Sequence, residues 1–429
     1  MKSFFNSSII TQLFKNNFER SNMIKMNFAV INGVIYTVNK KNEVIKNGTI
    51  LVKDGKIEKI SPEIIKPEGY EVIDAAGGHI LPGFIDSHTH QGLFDGSVGW
   101  AGFDGNEMTD PATPYVRAID AINPEDPALV EARIGGVTTI QTGPGSGNVI
   151  GGTDTIIKTW SESKIIDDMI LKEPSCLKSA LGENPKRVYG TDKKLPSTRM
   201  GNAAVFRKAF VEAQNYAKKW EEYETKKKLA LEKGDKDKIP SEPERDIGKE
   251  VLVKVLRKEI PLNMHCHQAN DIVTAIRLAE EFDINLVLIH ATEGHKIADY
   301  IAKKGVSASV GPSLVGFEKV ELRNITFKTP AILWKAGVKI SIQSDSFTRL
   351  CYFPILPCMA IKEGLPVDEA LRAVTINAAE MIGVSDRIGS LEEGKDADLV
   401  IWSDHPLKNF YAQNKLTMIN GSIAYKKEE

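Results

Sequence analysis

Between residues 81 and 388, short apolar runs alternate with helix-like stretches, and this alternation restricts the chain to an α/β architecture. Seven runs read as strands: HILPGFIDSHTH, GVTTIQTG, CLKSALGE, PLNMHCHQ, INLVLIHA, VSASVGP and VKISIQSD. Segments such as DIVTAIRLAEEF, GHKIADYIAKK and PAILWKAG, lying between several of them, carry helical periodicity. Strand–helix repetition over about 300 residues predicts a parallel sheet covered on both faces, and a (β/α)8 TIM barrel fits that length. Seven strands leave one unlocated. The segment between Thr153 and Leu171 is expected to hold it.

The flanks have a different texture. Residues 26–80 hold short β-rich runs broken by Asn-Gly, Asp-Gly and Gly-Gly turns, and residues 389–429 repeat that style around Asn420-Gly421. Both ends are therefore expected to build one small β domain around the barrel. Residues 1–25 match neither part. Asn6, Ser7, Ser8, Thr11 and Gln12 interrupt what a secretory segment needs unbroken, so a disordered or mis-called start is expected, with Met23 and Met26 close before the first strand. The charged stretch across 201–250 reads as a solvated helical excursion held by i,i+4 ion pairs.

Composition narrows the partners. Lys and Arg number 55 against 57 Asp and Glu, a net charge of −2, so no basic surface is on offer to nucleic acid or an anionic membrane. No run reaches the ~18–20 apolar residues of a membrane helix. Four cysteines are too few for a disulfide scaffold, which points to a reducing, cytoplasmic setting and a small-molecule partner.

The chemistry sits in the histidines. Of eight in the chain, four form two His-x-His pairs, His88/His90 and His265/His267. Random placement gives roughly 0.15 such pairs. Alternate residues of a strand face one side, so each pair aims two imidazoles into one space, as a shared metal ion requires. His290 and Asp345 end two further apolar runs, and the C-terminal rim of a parallel barrel is where active sites form. Several imidazoles with one carboxylate and no thiolate suit a catalytic divalent metal, zinc by default, with iron or manganese as alternatives.

GGHILPGFIDSHTH resembles the first barrel strand of the amidohydrolase superfamily, and VDEALRAVTINAAEMIGVSDRIGSLEEGKDADLVIW is similar to its closing helix and return strand. The likeness runs from Asn27 to Glu429 and is closest to imidazolonepropionase-related members. It implies a metal-bearing TIM barrel with a β-sandwich made from the chain ends, and it admits a homo-oligomer. It also implies that His88, His90 and Asp345 hold one ion. His265 and His290 would hold a second, unless a single ion leaves His290 to contact substrate.

The bridging position is expected to be a glutamate or a carboxylated lysine. CLKSALGENPK offers Glu183 and Lys178, and Glu183 is preferred as nearer the rim. His267 is expected to touch substrate, as is Glu107 from the glycine-rich loop 91–125, with Trp100 and Phe103 as further lining candidates. The glycine run Gly143–Gly152 is not expected to bind phosphate, because TDTIIKTW after it reads as a strand rather than a helix. His79, His295 and His405 are read as structural.

The reaction expected is hydroxide attack on a carbonyl carbon bonded to nitrogen, in a non-peptide or small-peptide substrate. Asp345 would act as general base and then acid, and His290 would polarise the carbonyl or bind metal. Arg187 and Arg199 are candidates to anchor a substrate carboxylate. The alternative is a cyclic amidine or imidazolone hydrolase or a heterocycle deaminase. Many such relatives carry a Glu three residues after the fifth-strand His, where this chain has Gln268.

Overall fold

A computed structural model describes residues 26–316 and 319–428. The expectation for residues 1–25 lies outside the described residues. Five strands open the chain: β1 (Phe28–Tyr36), β2 (Val44–Lys53), β3 (Lys56–Ser61), β4 (Glu71–Asp74) and β5 (His79–Pro82). The barrel follows with β6 (Phe84–Thr89), β7 (Val137–Thr142), β8 (Ile150–Lys158), β9 (Ile170–Ala180), β10 (Leu262–Cys266), β11 (Leu286–His290), β12 (Ser307–Val310) and β13 (Ile340–Ile342). Then β14 (Leu399–Trp402), β15 (Asn414–Ile419) and β16 (Ser422–Lys426) return to the first sheet.

The barrel strands run in chain order from β6 to β13. Most are buried on both faces, as the near-continuous apolar runs require. Ladder hydrogen bonds do not join β13 to β6, but the backbone N–H of Asp345 reaches His88 O at 3.2 Å and that of Ser344 reaches Asp86 Oδ1 at 3.2 Å, drawing the two edges together. Inside, Ser87 Oγ lies 2.8 Å from Ser309 Oγ and 2.7 Å from Ser341 Oγ, linking three strands through buried hydroxyls. The expected eight-stranded barrel is present.

The missing strand is β8, which begins at Ile150, before Thr153. It pairs antiparallel with both β7 and β9, whereas the alternation predicted a wholly parallel sheet. The cause is the connection. Only residues 143–149 join β7 to β8, and no helix can form in so short a link, while a parallel crossover needs a dozen residues or more. The start of β8 and its glycine loop therefore stand at the rim where the other strands end, and Lys158 points to the opposite end of the barrel.

The second sheet has the order β16-β15-β14-β5-β1-β2-β3, with β4 beside β1. Leu399 pairs with Pro82 and Trp402 with His79, so both chain ends enter one sheet over its own core of Val30, Ile35, Ile50, Ile80, Leu399 and Met418. Below the barrel, Lys158 forms buried ion pairs with Asp398 and, at 3.2 Å, with Asp396. Asp396 also takes Arg387 at 2.7 Å.

The charged excursion is a helix, Arg199–Glu232, capped where Thr198 Oγ1 accepts the N–H of Gly201. Ala203, Phe206, Phe210 and Ala213 bury its first half against Phe282 of the helix Ala269–Phe282; beyond them only Tyr223 and Ala230 are buried. No helix among the described residues is long and apolar enough to cross a membrane.

Candidate metal centre

The strand-end histidines converge at the rim. His88 and His90 leave β6, His265 leaves β10 with His267 just after it, and His290 closes β11. Ring centroids of His265, His267 and His290 lie 4.4–4.6 Å apart, and His88 stands 5.8 Å from His290. Asp345 Oδ1 is 3.1 Å from His90 Nε2 and 3.5 Å from His88 Nε2. His290 and Asp345 both hold positive φ, 73° and 50°, which side-chain-bearing residues rarely adopt. Such strain persists where the fold turns a functional side chain inward.

Each imidazole but one is anchored from outside. His90 Nδ1 meets Gly143 O at 2.7 Å, His265 Nδ1 meets Ser146 Oγ at 2.8 Å, His267 Nδ1 meets Thr292 Oγ1 at 2.7 Å, and His290 Nδ1 meets Gly311 O at 2.7 Å. Metal-binding imidazoles use one ring nitrogen in this way while the other faces the ion. The Nε2 atoms of His265, His267 and His290 are buried with no hydrogen-bond partner. Burial holds His88, His265 and His267 well below the ordinary imidazole pKa and takes His290 to about 4, so these rings stay neutral with a lone pair to donate. Burial also works against charge on Asp345, yet His290 and the bonds to His88 and His90 keep its carboxyl well below the carboxylate range. Two donor groups result, His88/His90/Asp345 and His265/His267/His290, each compact enough for one ion.

The glycine loop is part of this machinery. A Cβ on Gly143 would fall 1.7 Å from Asp154 Oδ1, so only glycine lets the carbonyl that anchors His90 sit there. Ser146 from the same loop orients His265.

The two residues weighed for the bridging position lie apart. Glu183 lies outside the histidine cluster: it starts the helix Glu183–Gly190, and its carboxylate accepts the N–H of Glu321 at 3.2 Å. Gly182, at φ 82°, turns the chain there, so strand alternation ends before Glu183. Lys178, still on β9, points inward, is fully buried and places Nζ 2.9 Å from His88 Nε2. Burial lowers its pKa.

A cavity of about 500 Å³ opens onto the group, walled by Phe94, Phe103, Asn106, Arg187, Lys319 and Phe347 with His90, His265, His267 and Asp345 at its base. His290 does not line it, so the geometry gives that residue no direct reach to substrate. Glu107 is exposed and bonds Thr109 at 2.8 Å; its neighbour Asn106 faces the cavity instead. Trp100 is 89% exposed and stands off the wall, while Phe103 lines it. Arg199 is taken by Asp271 at 2.9 Å and by Gln268 Oε1 at 2.8 Å. Arg187 keeps its guanidinium free of any carboxylate among the described residues. His79 and His405 pack on Tyr36 in the other sheet, and His295 bonds Thr329 away from the cavity.

Sequence reasoning missed Glu321. Its side chain is fully buried, and Oε1 lies 3.6 Å from His265 Nε2 and 3.7 Å from His267 Nε2. It comes from an irregular segment without periodicity, and no local signal marks it.

Known proteins bear on this arrangement. The model of the amidohydrolase family matches residues 221–424. The chain is 42% identical to a solved amidohydrolase from Thermotoga maritima MSB8, covering 93% of this chain and all of that one with a TM-score of 0.86. It is 30% identical to the amidohydrolase tasK of Hapsidospora irregularis over 84% of its own length, though it spans only 38% of that protein. It is also 25% identical to an imidazolonepropionase of Clostridium tetani, covering 90% of this chain and 92% of that one.

Proposed function

Because the chain belongs to the amidohydrolase family and is a hydrolase of carbon–nitrogen bonds, we propose that it cleaves the linear amide of a small dipeptide or N-acyl amino acid, with Arg187 holding the substrate carboxylate. The observation behind this reading is that free guanidinium in the cavity wall. Its planar fork matches a carboxylate with two parallel hydrogen bonds. Phe94, Phe103 and Phe347 offer an apolar wall to the rest of the substrate.

The donor set fits a divalent cation: buried, neutral, outward-anchored imidazoles whose inner nitrogens lack partners. His88, His90 and Asp345 would hold the ion that serves catalysis, and His265 and His290 a second. Lys178, whose burial favours the neutral amine, would add carbon dioxide and lose one proton, and the resulting carbamate would complete the shell beside His88. A bound zinc ion would lower the pKa of its water to about 7 and polarise a carbonyl oxygen. Asp345 receives the proton of the attacking water and delivers it to the departing nitrogen.

Ring chemistry is the less favoured reading. Gln268 cannot ionise, and its amide oxygen is held by Arg199. The test is a screen of dipeptides and N-acyl amino acids against 4-imidazolone-5-propionate, using protein with its metal content measured. Turnover of carboxylate-bearing amides, lost when the carboxylate is amidated, supports the reading. Turnover of the imidazolone alone overturns it.

A further inference from the structure

We propose that the cavity selects substrates with two carboxylates, Lys319 binding the second while Arg187 holds the first, so that the residue on the nitrogen side of the scissile amide is aspartate or glutamate. The proposal rests on the amide reading above and names its substrate class.

Apart from the histidines, the charged side chains lining the cavity are Arg187, Lys319 and Asp345. Asp345 is turned to His88 and His90, which leaves the two cations to face whatever enters. They stand close together. Asn184 and Arg187 lie one turn apart on the helix Glu183–Gly190, where residues three apart share a face, and both line the cavity. Lys319 Nζ is 3.5 Å from Asn184 Oδ1. Guanidinium and ammonium therefore flank one carboxamide, and two carboxylates held by them lie within the reach of a single acidic residue.

Lys319 has a partner where Arg187 has none. Its Nζ stands 3.0 Å from Glu321 Oε1, and the Glu321 side chain is fully buried. Glu321 is itself clamped: Oε2 accepts the N–H of Glu183 at 3.1 Å, and its own N–H donates to the Glu183 carboxylate at 3.2 Å. Both glutamates lie behind the wall rather than on it. The ion pair fixes the ammonium without exhausting it, because a lysine has three N–H donors and one carboxylate oxygen occupies one of them. Neutralising Glu321 does not account for the place of Lys319 on the wall, where the side chain keeps 17% exposure. Glu321 thus acts as a positioning residue that aims the lysine into the cavity. Few, well-placed polar groups in such a pocket set specificity. An apolar substituent against Nζ would cover donors and satisfy none, whereas a carboxylate would meet them with charge-assisted hydrogen bonds.

The test compares N-acetyl-aspartate and N-acetyl-glutamate with N-acetyl-asparagine and N-acetyl-glutamine, using the zinc-loaded full chain. KM is measured for each compound that is hydrolysed, and Kd by calorimetry for each that is not. The acids are expected to bind about tenfold or more tighter than their side-chain amides, the size of one charged hydrogen bond. In Lys319→Met the ratio of acid to amide should fall to about one, and Lys319→Arg should restore part of it. A lysine that served structure alone would weaken acid and amide together, and an unchanged ratio in Lys319→Met overturns the proposal. So does the absence of binding by all of these compounds. Hydrolysis of acids and amides with equal constants overturns it while leaving the amide reading intact. Acids bound with the expected preference but never cleaved overturn the amide reading and leave the two-carboxylate site standing. Should Lys319→Met not fold, a crystal of the parent with N-acetyl-glutamate decides. A side-chain carboxylate oxygen within ~3.2 Å of Lys319 Nζ supports the assignment, and one turned away to solvent overturns it.

Discussion

Lys178 and His88 meet inside the barrel with Nζ 2.9 Å from Nε2, and neither side chain reaches solvent. Burial lowers the lysine pKa, against the opposing pull of Asp154 and Asp345. The contact suits the proposed carbamate, which would bring Lys178 into the same donor set as His88.

Lys178→Met keeps the length of the side chain and removes its nitrogen. Turnover is expected to fall roughly a hundredfold or more while thermal stability holds or rises, because a buried amine has been replaced by an apolar group. Steady-state kinetics with a melting curve measure both. Activity within about tenfold of the parent would take Lys178 out of the site.

Asp345→Asn preserves shape but cannot carry the proton. A loss of ~10²–10⁴ in kcat is expected. Since its carboxyl sits well below the ordinary range, Asp345 stays charged throughout the working pH range, and no acid limb of the rate profile near pH 4–5 should trace to it. A variant that turns over at parental rate would remove Asp345 from the proton path.

Arg187→Met should raise KM for carboxylate-bearing amides by ~10–100-fold with little change in kcat, the size of one charged hydrogen-bonding contact. The same substrates with the carboxylate amidated should show no difference between parent and variant. Equal KM values in both enzymes for the free acid would discard the anchor.

Acid should loosen the lower end of the barrel. Burial works against charge on Asp396, but Lys158 and Arg387 hold its carboxyl below the usual 3.8. A folded value beneath the unfolded one means that the stabilisation is complete above about pH 4 and drains as pH falls through the folded value. Urea midpoints measured from pH 6 to pH 2.5 should drop below pH 4. In Asp396→Asn, already less stable at pH 7 by about 3 kcal/mol, the acid drop should be shallower. Parallel curves for parent and variant would assign the acid sensitivity elsewhere.

The candidate site residues most readable from sequence are those whose position follows from strand geometry. His88, His90, His265, His290 and Asp345 each end or closely follow an apolar run, and parallel pairing brings such ends together whatever the loops do. Glu183 lies away from the histidines because strand alternation ends at Ala180 and Gly182 turns the chain into a helix. Glu107 and Asn106 are neighbours on a loop with no period, so nothing local says which faces inward. Glu321 reaches the histidines only because a segment after β12 folds back over the barrel mouth. The antiparallel β8 was legible in principle, since seven residues cannot carry a crossover helix, but its composition matched its parallel neighbours.

The pairing of β5 with β14 has a consequence for how the molecule comes into being. A ribosome delivers β5 long before β14 emerges, so its open edge, with Ile80 and Leu81, must wait while the entire barrel is synthesised. An unpaired apolar edge of that kind recruits strands from other chains. Chains that stall or are clipped before residue 399 should therefore clump rather than persist as free barrels, with residues 399–429 expected to serve as the clasp that keeps the newborn protein safe in a crowded cell.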